Sequence, residues 1–232
     1  MISPSAADLV GLLSLPRGSS AGLTKEAHIY AVLREAIATG DLSPRVHLRV
    51  AEIADAFGVS PIPVRAAFRM LEAEGLVEVR AHVGTFVTEL PYREILEALE
   101  VRTALEVEAS TAAIDKATEQ VVANLTMFCD EMDELAASGD SASYAALNNK
   151  FHRAIYELSD NKVLIETLHA LEFRCSRGMA TFHSRGSRMQ RSNAEHRRIV
   201  AALANRNLLA LQQETRLHRR ESATTLTTMR DR

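Results

Sequence analysis

Residues 50–76, VAEIADAFGVSPIPVRAAFRMLEAEGL, read as two short helices joined by a tight turn. Val50, Ile53, Ala54 and Phe57 recur at helical spacing while Glu52 and Asp55 fall on the other face, so one side packs and the other is solvated. Gly58 ends this helix, because a left-handed C-terminal position costs glycine little. Ser60 is placed to accept a hydrogen bond from a free N–H of the next turn. Pro61 and Pro63 stand where a starting helix has no N–H partner to lose. A second helix therefore begins at Pro61. Val64, Ala67, Phe68 and Leu71 form its inner face, and Arg65 and Arg69, four apart, share another face whose nearest acid is Glu72. The pattern is a helix-turn-helix, whose second helix offers its N-terminal end to the DNA major groove, where guanidinium groups bind phosphate or a guanine edge.

A bare helical hairpin would fit an ordinary core equally well, with two solvated arginines. The continuation, GLVEVRAHVGTFVTEL over residues 75–90, decides the matter: Val77–Arg80 and Thr85–Glu89 alternate like strands around a Gly84 turn, as a wing does. Upstream, Thr24–Thr39 is a leading helix with Ile29, Leu33 and Ile37 on its inner stripe and Gly40 at its end, and Asp41–Leu48 is an extended connection. Pro91 closes the domain, placing a winged helix-turn-helix over residues 24–90. The residues expected to face DNA are Arg49, Ser60, Pro61, Ile62, Arg65 and Arg69, with His82, Gly84 and Thr85 from the wing.

This stretch resembles the winged-helix DNA-binding domain of the GntR family of bacterial transcription regulators. The matching residues are Leu33, Ile37, Gly40 and Leu42, then Leu48, Ile53, Ala54 and Gly58-Val59-Ser60, and finally Pro63-Val64-Arg65, Leu71, Glu74-Gly75-Leu76 and Gly84. The chain departs from the family at Pro61, where a basic residue that often reads bases is usual, at Ile62, where threonine is common, and at Arg45, where glycine follows the proline. The resemblance thus implies DNA binding but not the usual operator sequence.

At 232 residues and 47% hydrophobic, the chain is long enough for two ordinary domains with real cores. Formal net charge is -3, and acids slightly outnumber bases over residues 1–90, which argues against non-specific polyanion binding. A specific reader can manage with a local positive face of Arg49, Arg65, Arg69 and His82, doubled by dimerisation. Cys129 and Cys175 form neither a CxxC pair nor a disulfide framework, as expected in a reducing cytoplasm. Residues 1–23 read as a mobile arm: their apolar run DLVGLLSL lacks a basic leader and is too short to span a bilayer. No membrane association is expected.

From Arg93 onward there is no strand signal. Helices are expected at about 92–115, 118–138, 140–158, 161–182, 190–205 and 207–226, with breaks at Asp115, Ser138-Gly139-Asp140, Asp160-Asn161, Gly186-Ser187 and Asn205-Arg206-Asn207. Ser192 with Glu195 three residues on reads as a capping box fixing one helix start. Each helix has one apolar stripe, so the fold class is mostly α: a winged helix-turn-helix with a small β wing, then an all-α bundle over residues 91–232.

Three histidines recur on inner stripes of separate bundle helices. His152 lies beside the stripe Tyr144, Leu147, Phe151, Ile155 and Leu158, with Asn148 one turn earlier on the same side. His196 is in line with Ile199, Val200 and Leu203, and His218 with Leu208, Leu211 and Thr215. Taken singly, each reads as a hydrogen-bonded core residue or a helix-end cation; three together add a ligand reading beside that one without deciding between them, since facing bundle helices assemble metal sites and imidazole is the commonest neutral ligand. Arg102 falls on the stripe Ile95, Leu99 and Ala109. It is either a bidentate contact for a carboxylate or half of an intrahelical pair with Glu106.

The bundle resembles the FCD effector domain of the FadR subfamily of GntR regulators, and its six helices resemble the VanR-like branch. The matching residues are Phe151-His152, Asn161, Glu195-His196 with Ile199, His218, and the pair Arg102 and Glu106. The resemblance implies a divalent metal of the Zn, Ni or Mn class on His152, His196 and His218, with Asn148 standing where metal-binding members have an aspartate. An amide oxygen is a weaker ligand than a carboxylate, which shifts more of the binding onto a co-bound anion. It implies Arg102 and Asn148 as effector contacts, a small carboxylate effector, and a homodimer on double-stranded operator DNA, most often a repressor released by its effector. Two other classes fit parts of the sequence. A metal-dependent hydrolase could use three histidines to activate water, but there is no HExxH and no evident general base. An interaction protein that binds no DNA would suit the acidic balance and Pro61.

Overall fold

The computed structural model describes residues 23–89, 91–179 and 186–230; the expected N-terminal arm and the end of the helix expected over 161–182 lie outside them. The chain divides into two compact units, Met1–Pro91 and Tyr92–Arg232.

In the first unit the order is α1 (Lys25–Thr39), β1 (His47–Leu48), α2 (Val50–Phe57), α3 (Pro61–Ala73), β2 (Val77–Arg80) and β3 (Gly84–Val87). The Thr24 hydroxyl accepts from the Ala27 N–H at 3.4 Å to start α1, and Gly40 ends it at φ 85°. Gly58, at φ 62°, does the same for α2 and turns the chain into α3. Val64, Ala67, Phe68 and Leu71 of α3 are buried, packed on α1 and α2. At the far end of α3 the Glu74 carboxylate accepts from the Tyr30 hydroxyl and from Arg34 Nε at 3.0 Å, tying α3 back to α1.

The expected cap of α3 needs correction. Ser60 is the N-cap of α3, but its side chain makes no capping hydrogen bond. The donors a cap side chain would use belong to the second and third helical residues, and the third is Pro63, which has no N–H. The extended 41–48 connection ends in a strand: its last two residues form β1, with His47 opposite Phe86 and Leu48 opposite Thr85, so the wing is a three-stranded antiparallel sheet in the order β1-β3-β2. Arg45, just before β1, has φ 69°, the left-handed region where glycine is cheaper.

Gly84 is required by shape. Its φ is 139°, and a Cβ built there would run into the His47 imidazole, which itself stacks on Phe86 with ring centroids 4.6 Å apart. Gly84→Ala is therefore expected to cost about 2 kcal/mol or more, from backbone strain and displacement of that ring. Urea unfolding would measure it, and a cost under about 0.5 kcal/mol would mean the wing adjusts freely.

The second unit contains α4 (Tyr92–Ala113), a 3-10 turn at Ile114–Lys116, α5 (Glu119–Ser138), α6 (Ser141–Glu157), α7 (Lys162–Met179), α8 (Gly186–Ala204) and α9 (Leu208–Arg230). The side chains of Thr118, Asp140 and Asn161 accept from backbone N–H groups at the starts of α5, α6 and α7. Leu125, Met132, Tyr144, Phe151, Leu168 and Leu203 are among the fully buried side chains of its core. The bundle confirms the expected mostly α class with a small N-terminal sheet. The capping box does not survive: Ser192 lies inside α8, 3% exposed. Its hydroxyl bonds to buried Tyr144, and Asn193 beside it donates to the Cys129 carbonyl at 2.7 Å, which holds this turn of α8 against α5 and α6. Glu195 is also unable to reach back to Ser192, because its carboxylate is bound elsewhere, as the site shows.

Candidate functional site

The surface expected to meet DNA is built on the start of α3 and the wing. Ser60, Pro61, Ile62, Arg65 and Arg69 are exposed, Ile62 by 77%. Among the described residues neither Arg65 nor Arg69 joins an ion pair; Glu72, the nearest acid in sequence, accepts from the Val79 N–H at 3.2 Å. Both guanidiniums thus present free charge on an uncrowded face. Arg49 is half exposed and leans on Glu52 at 2.6 Å. His82 is exposed at the wing turn with φ 62°. Thr85 is a correction: strand alternation turns it inward opposite Val79 and Leu48, 5% exposed, so its side chain does not face a groove. Gly84 serves the wing by its shape, as above.

The second site lies in the bundle core, where α6, α8 and α9 bring His152, His196 and His218 together. Their ring centroids are 4.7 to 5.1 Å apart, and one nitrogen from each lies within 4.8 Å of the other two. All three are buried. Burial, then the charge of Arg219, holds His152 and His218 well below the ordinary 6.5, so both are neutral and carry a lone pair at neutral pH.

His218 is oriented from behind. Glu195 accepts from its Nδ1 at 2.7 Å and is itself clamped by Arg188 through two bonds of 3.0 and 3.1 Å. An ionised carboxylate only accepts, so Nδ1 carries the proton and Nε2 keeps its lone pair. Nε2 of His218 and Nε2 of His152 are buried with no hydrogen-bond partner. Orphaned ring nitrogens are costly in a core, and a shared divalent ion taking the lone pair of each ring would satisfy both. The residues present fit a metal.

Asn148 is buried one turn before His152, on the same helix, and its amide donates to Asn149 at 3.4 Å. Asn148→Asp is expected to tighten divalent metal binding by tenfold or more, since a carboxylate is the stronger hard ligand. Competition with a chromogenic chelator would measure it, and unchanged affinity would mean the side chain points away from the ion.

Of the two readings of Arg102, the structure shows the intrahelical pair. Arg102 meets Glu106 at 2.6 Å, but the pair is buried rather than a solvated helix-surface bridge. Glu106 also accepts from Arg219 Nε and from the Tyr156 hydroxyl, and both guanidiniums approach that hydroxyl at 3.4 to 3.5 Å. Burial alone would raise the Glu106 carboxyl; the charges of Arg219 and Arg102 outweigh it and bring it down to about 2. Glu106, Ser110, Tyr156, Thr215 and the rings of His152 and His218 enclose a cavity of about 10 Å³, room for one water molecule or ion. Sequence reading missed Arg188, Arg219 and Tyr156. Their signals were local: Tyr156 stands one turn beyond His152, Arg219 follows His218, and Arg188 is two turns before Glu195.

Similarity to known proteins agrees with this division. Residues 25–87 match the family described as "Bacterial regulatory proteins, gntR family", and residues 97–221 match the FCD domain. The chain is 38% identical over 138 residues to the "Probable D-xylose utilization operon transcriptional repressor" of Paenarthrobacter nicotinovorans, covering 58% of this chain and 59% of that protein. It is 30% identical to the uncharacterised HTH-type transcriptional regulator YdhC of Bacillus subtilis over 82% of this chain and 85% of the relative. The solved structure of Escherichia coli McbR/YncC has the same fold, with a TM-score of 0.79 at 21% identity over 89% of this chain and 99% of the other. Among the described residues no helix is long and apolar enough to cross a membrane. A DNA-binding model on the first unit and an FCD domain on the second place the chain in the GntR family of bacterial transcription regulators.

Proposed function

We propose that this regulator, of the FadR type, is a cytoplasmic homodimeric repressor. A small carboxylate, bound with a divalent metal in the bundle, controls its hold on operator DNA. The observation that carries the effector half is the convergence of three buried imidazoles, two with ring nitrogens that lack any hydrogen-bond partner. His152, His196 and His218 would hold the ion, with Asn148 as a neutral fourth ligand. The bound ion would act as a Lewis acid anchoring a carboxylate oxygen. Arg102 would donate hydrogen bonds to the ligand's carboxylate. Two chains would place two α3 helices about one helical turn, roughly 34 Å, apart on a near-palindromic site. An effector can alter that spacing only by binding one arrangement better than the other.

The test has two parts. Elemental analysis of the purified chain, with a thermal-shift screen of sugar acids, dicarboxylates and neutral sugars such as D-xylose with and without added metal, examines the bundle. A stoichiometric metal together with a metal-dependent shift by an acid is the expected result; a shift by neutral sugars alone would overturn the carboxylate reading. For the DNA half, fluorescence anisotropy with promoter fragments should show operator binding that weakens steeply with salt. Arg65→Ala is expected to cost about 1–3 kcal/mol of that affinity and lower the salt slope, with the unfolding curve unchanged. Operator affinity equal to wild type would remove α3 from the interface.

A further inference from the structure

The cavity beside the histidines is too small for any metabolite, so a ligand must displace something to reach the imidazoles. A much larger cleft of about 700 Å³ opens between α4 and α9, a size typical of small-molecule sites. Its walls include Leu99, Thr103 and Ala104 from α4 and Arg216, Arg219 and Arg220 from α9, with Glu100 and Glu108 on the α4 side. Arg219 links the two spaces: it lines the cleft, and its guanidinium grips Glu106, which lines the inner cavity. The Arg219–Glu106 contact is therefore the partition between an open, arginine-bearing cleft and the closed histidine cluster.

The charge at the partition is unbalanced. Two buried guanidiniums, Arg102 and Arg219, share the single carboxylate of Glu106, joined by two neutral groups, the Tyr156 hydroxyl and the Cys175 thiol beside Arg102. One positive charge is left over in a desolvated place, and a metal dication alongside would add two more. An arriving carboxylate would offer these guanidiniums what Glu106 now gives them, and would supply the missing negative charge.

We propose that Glu106 is an internal stand-in for the effector's carboxylate. An anionic ligand enters through the α4–α9 cleft and takes Arg219 from Glu106, and in doing so it opens the way to the histidine cluster. This rests on the bundle being an effector site, and extends it in three respects: Arg219 is a second anion anchor, Glu106 is a competitor built into the chain, and a ligand with two or more negative charges is favoured over one with a single charge.

The test is calorimetric titration of the full-length protein with succinate, and with acetate for comparison, after dialysis against EDTA and again after zinc loading. Glu106→Gln keeps the shape of the side chain but frees both guanidiniums from the competing charge, so it should bind succinate at least tenfold more tightly than wild type in both metal states. Arg219→Gln should abolish that gain. Succinate should bind more tightly than acetate throughout. Because Glu106→Gln puts folding at risk, Tyr156→Phe is the second variant: it removes one hydrogen bond to the carboxylate, keeps every charge, and should tighten succinate several-fold. Equal or weaker binding by the folded Glu106→Gln or Tyr156→Phe variant, or no succinate binding by any variant in either state, would overturn the proposal. Failure of the metal reading looks different: the protein takes up no zinc, while the Glu106→Gln gain persists in the EDTA-treated protein.

Discussion

Glu106→Ala is expected to destabilise the bundle by about 3–5 kcal/mol, the usual cost of deleting one partner of a buried ion pair. Arg102 and Arg219 are 3% and 4% exposed, and a guanidinium cannot escape by losing its proton. Both would stay charged with no counter-charge, only the neutral Tyr156 hydroxyl and Cys175 thiol beside them. With ordinary domains stable by about 5–15 kcal/mol, the loss is a large part of the total. It should show as a lower urea midpoint with an unchanged slope, and a change under about 1 kcal/mol would mean that water reaches the guanidiniums. The same carboxylate gives a pH signature. Its folded value is about 2 against an ordinary 4.5, so its contribution is fully present above 4.5 and is lost as pH falls toward 2. By linkage that contribution is about 3 kcal/mol. Stability of Glu106→Gln should lack this component of the acid decline, and wild type and variant curves should converge near pH 2.

That network also marks where sequence reading stops. The helices of the bundle were legible because each carries an apolar stripe that the fold buries: Tyr144, Leu147, Phe151 and Ile155 on α6, and Ile199, Val200 and Leu203 on α8. The histidine cluster was legible for the same reason, since His152, His196 and His218 each interrupt such a stripe, and three polar residues on inner faces must meet one another or water. Arg219 had only its place after His218 to mark it. Its partner Glu106 is 113 residues away, and only packing of α9 on α4 reveals the pair. Ser192 and Glu195 had cap spacing, yet spacing alone does not tell a solvated helix start from two polar residues buried against Tyr144, Arg188 and His218. In the first unit, β1 is two residues long, too short for any alternation to register. Thr85 was misplaced because on a strand a shift of one residue exchanges the solvent face for the core.

His196→Ala should abolish stoichiometric retention of a divalent metal, and Glu195→Gln should weaken it by about 10- to 100-fold without removing any ligand. His196 is fully buried between His152 and His218, so its loss leaves two imidazoles and an amide, too few strong donors to hold an ion through dialysis. Glu195 acts at one remove. Its carboxylate fixes the His218 tautomer through Nδ1, and Arg188 fixes the carboxylate in turn. A glutamine can still accept through its oxygen, but it no longer strengthens the basicity of the imidazole, and Arg188 loses its counter-charge. Zinc competition with a chromogenic chelator, read with circular dichroism to confirm the helices, separates the two effects. If His196→Ala keeps one metal per chain, other residues hold the ion. If Glu195→Gln matches wild type in zinc affinity, then His218 is oriented by packing alone and the Arg188–Glu195 pair belongs to the architecture of the bundle.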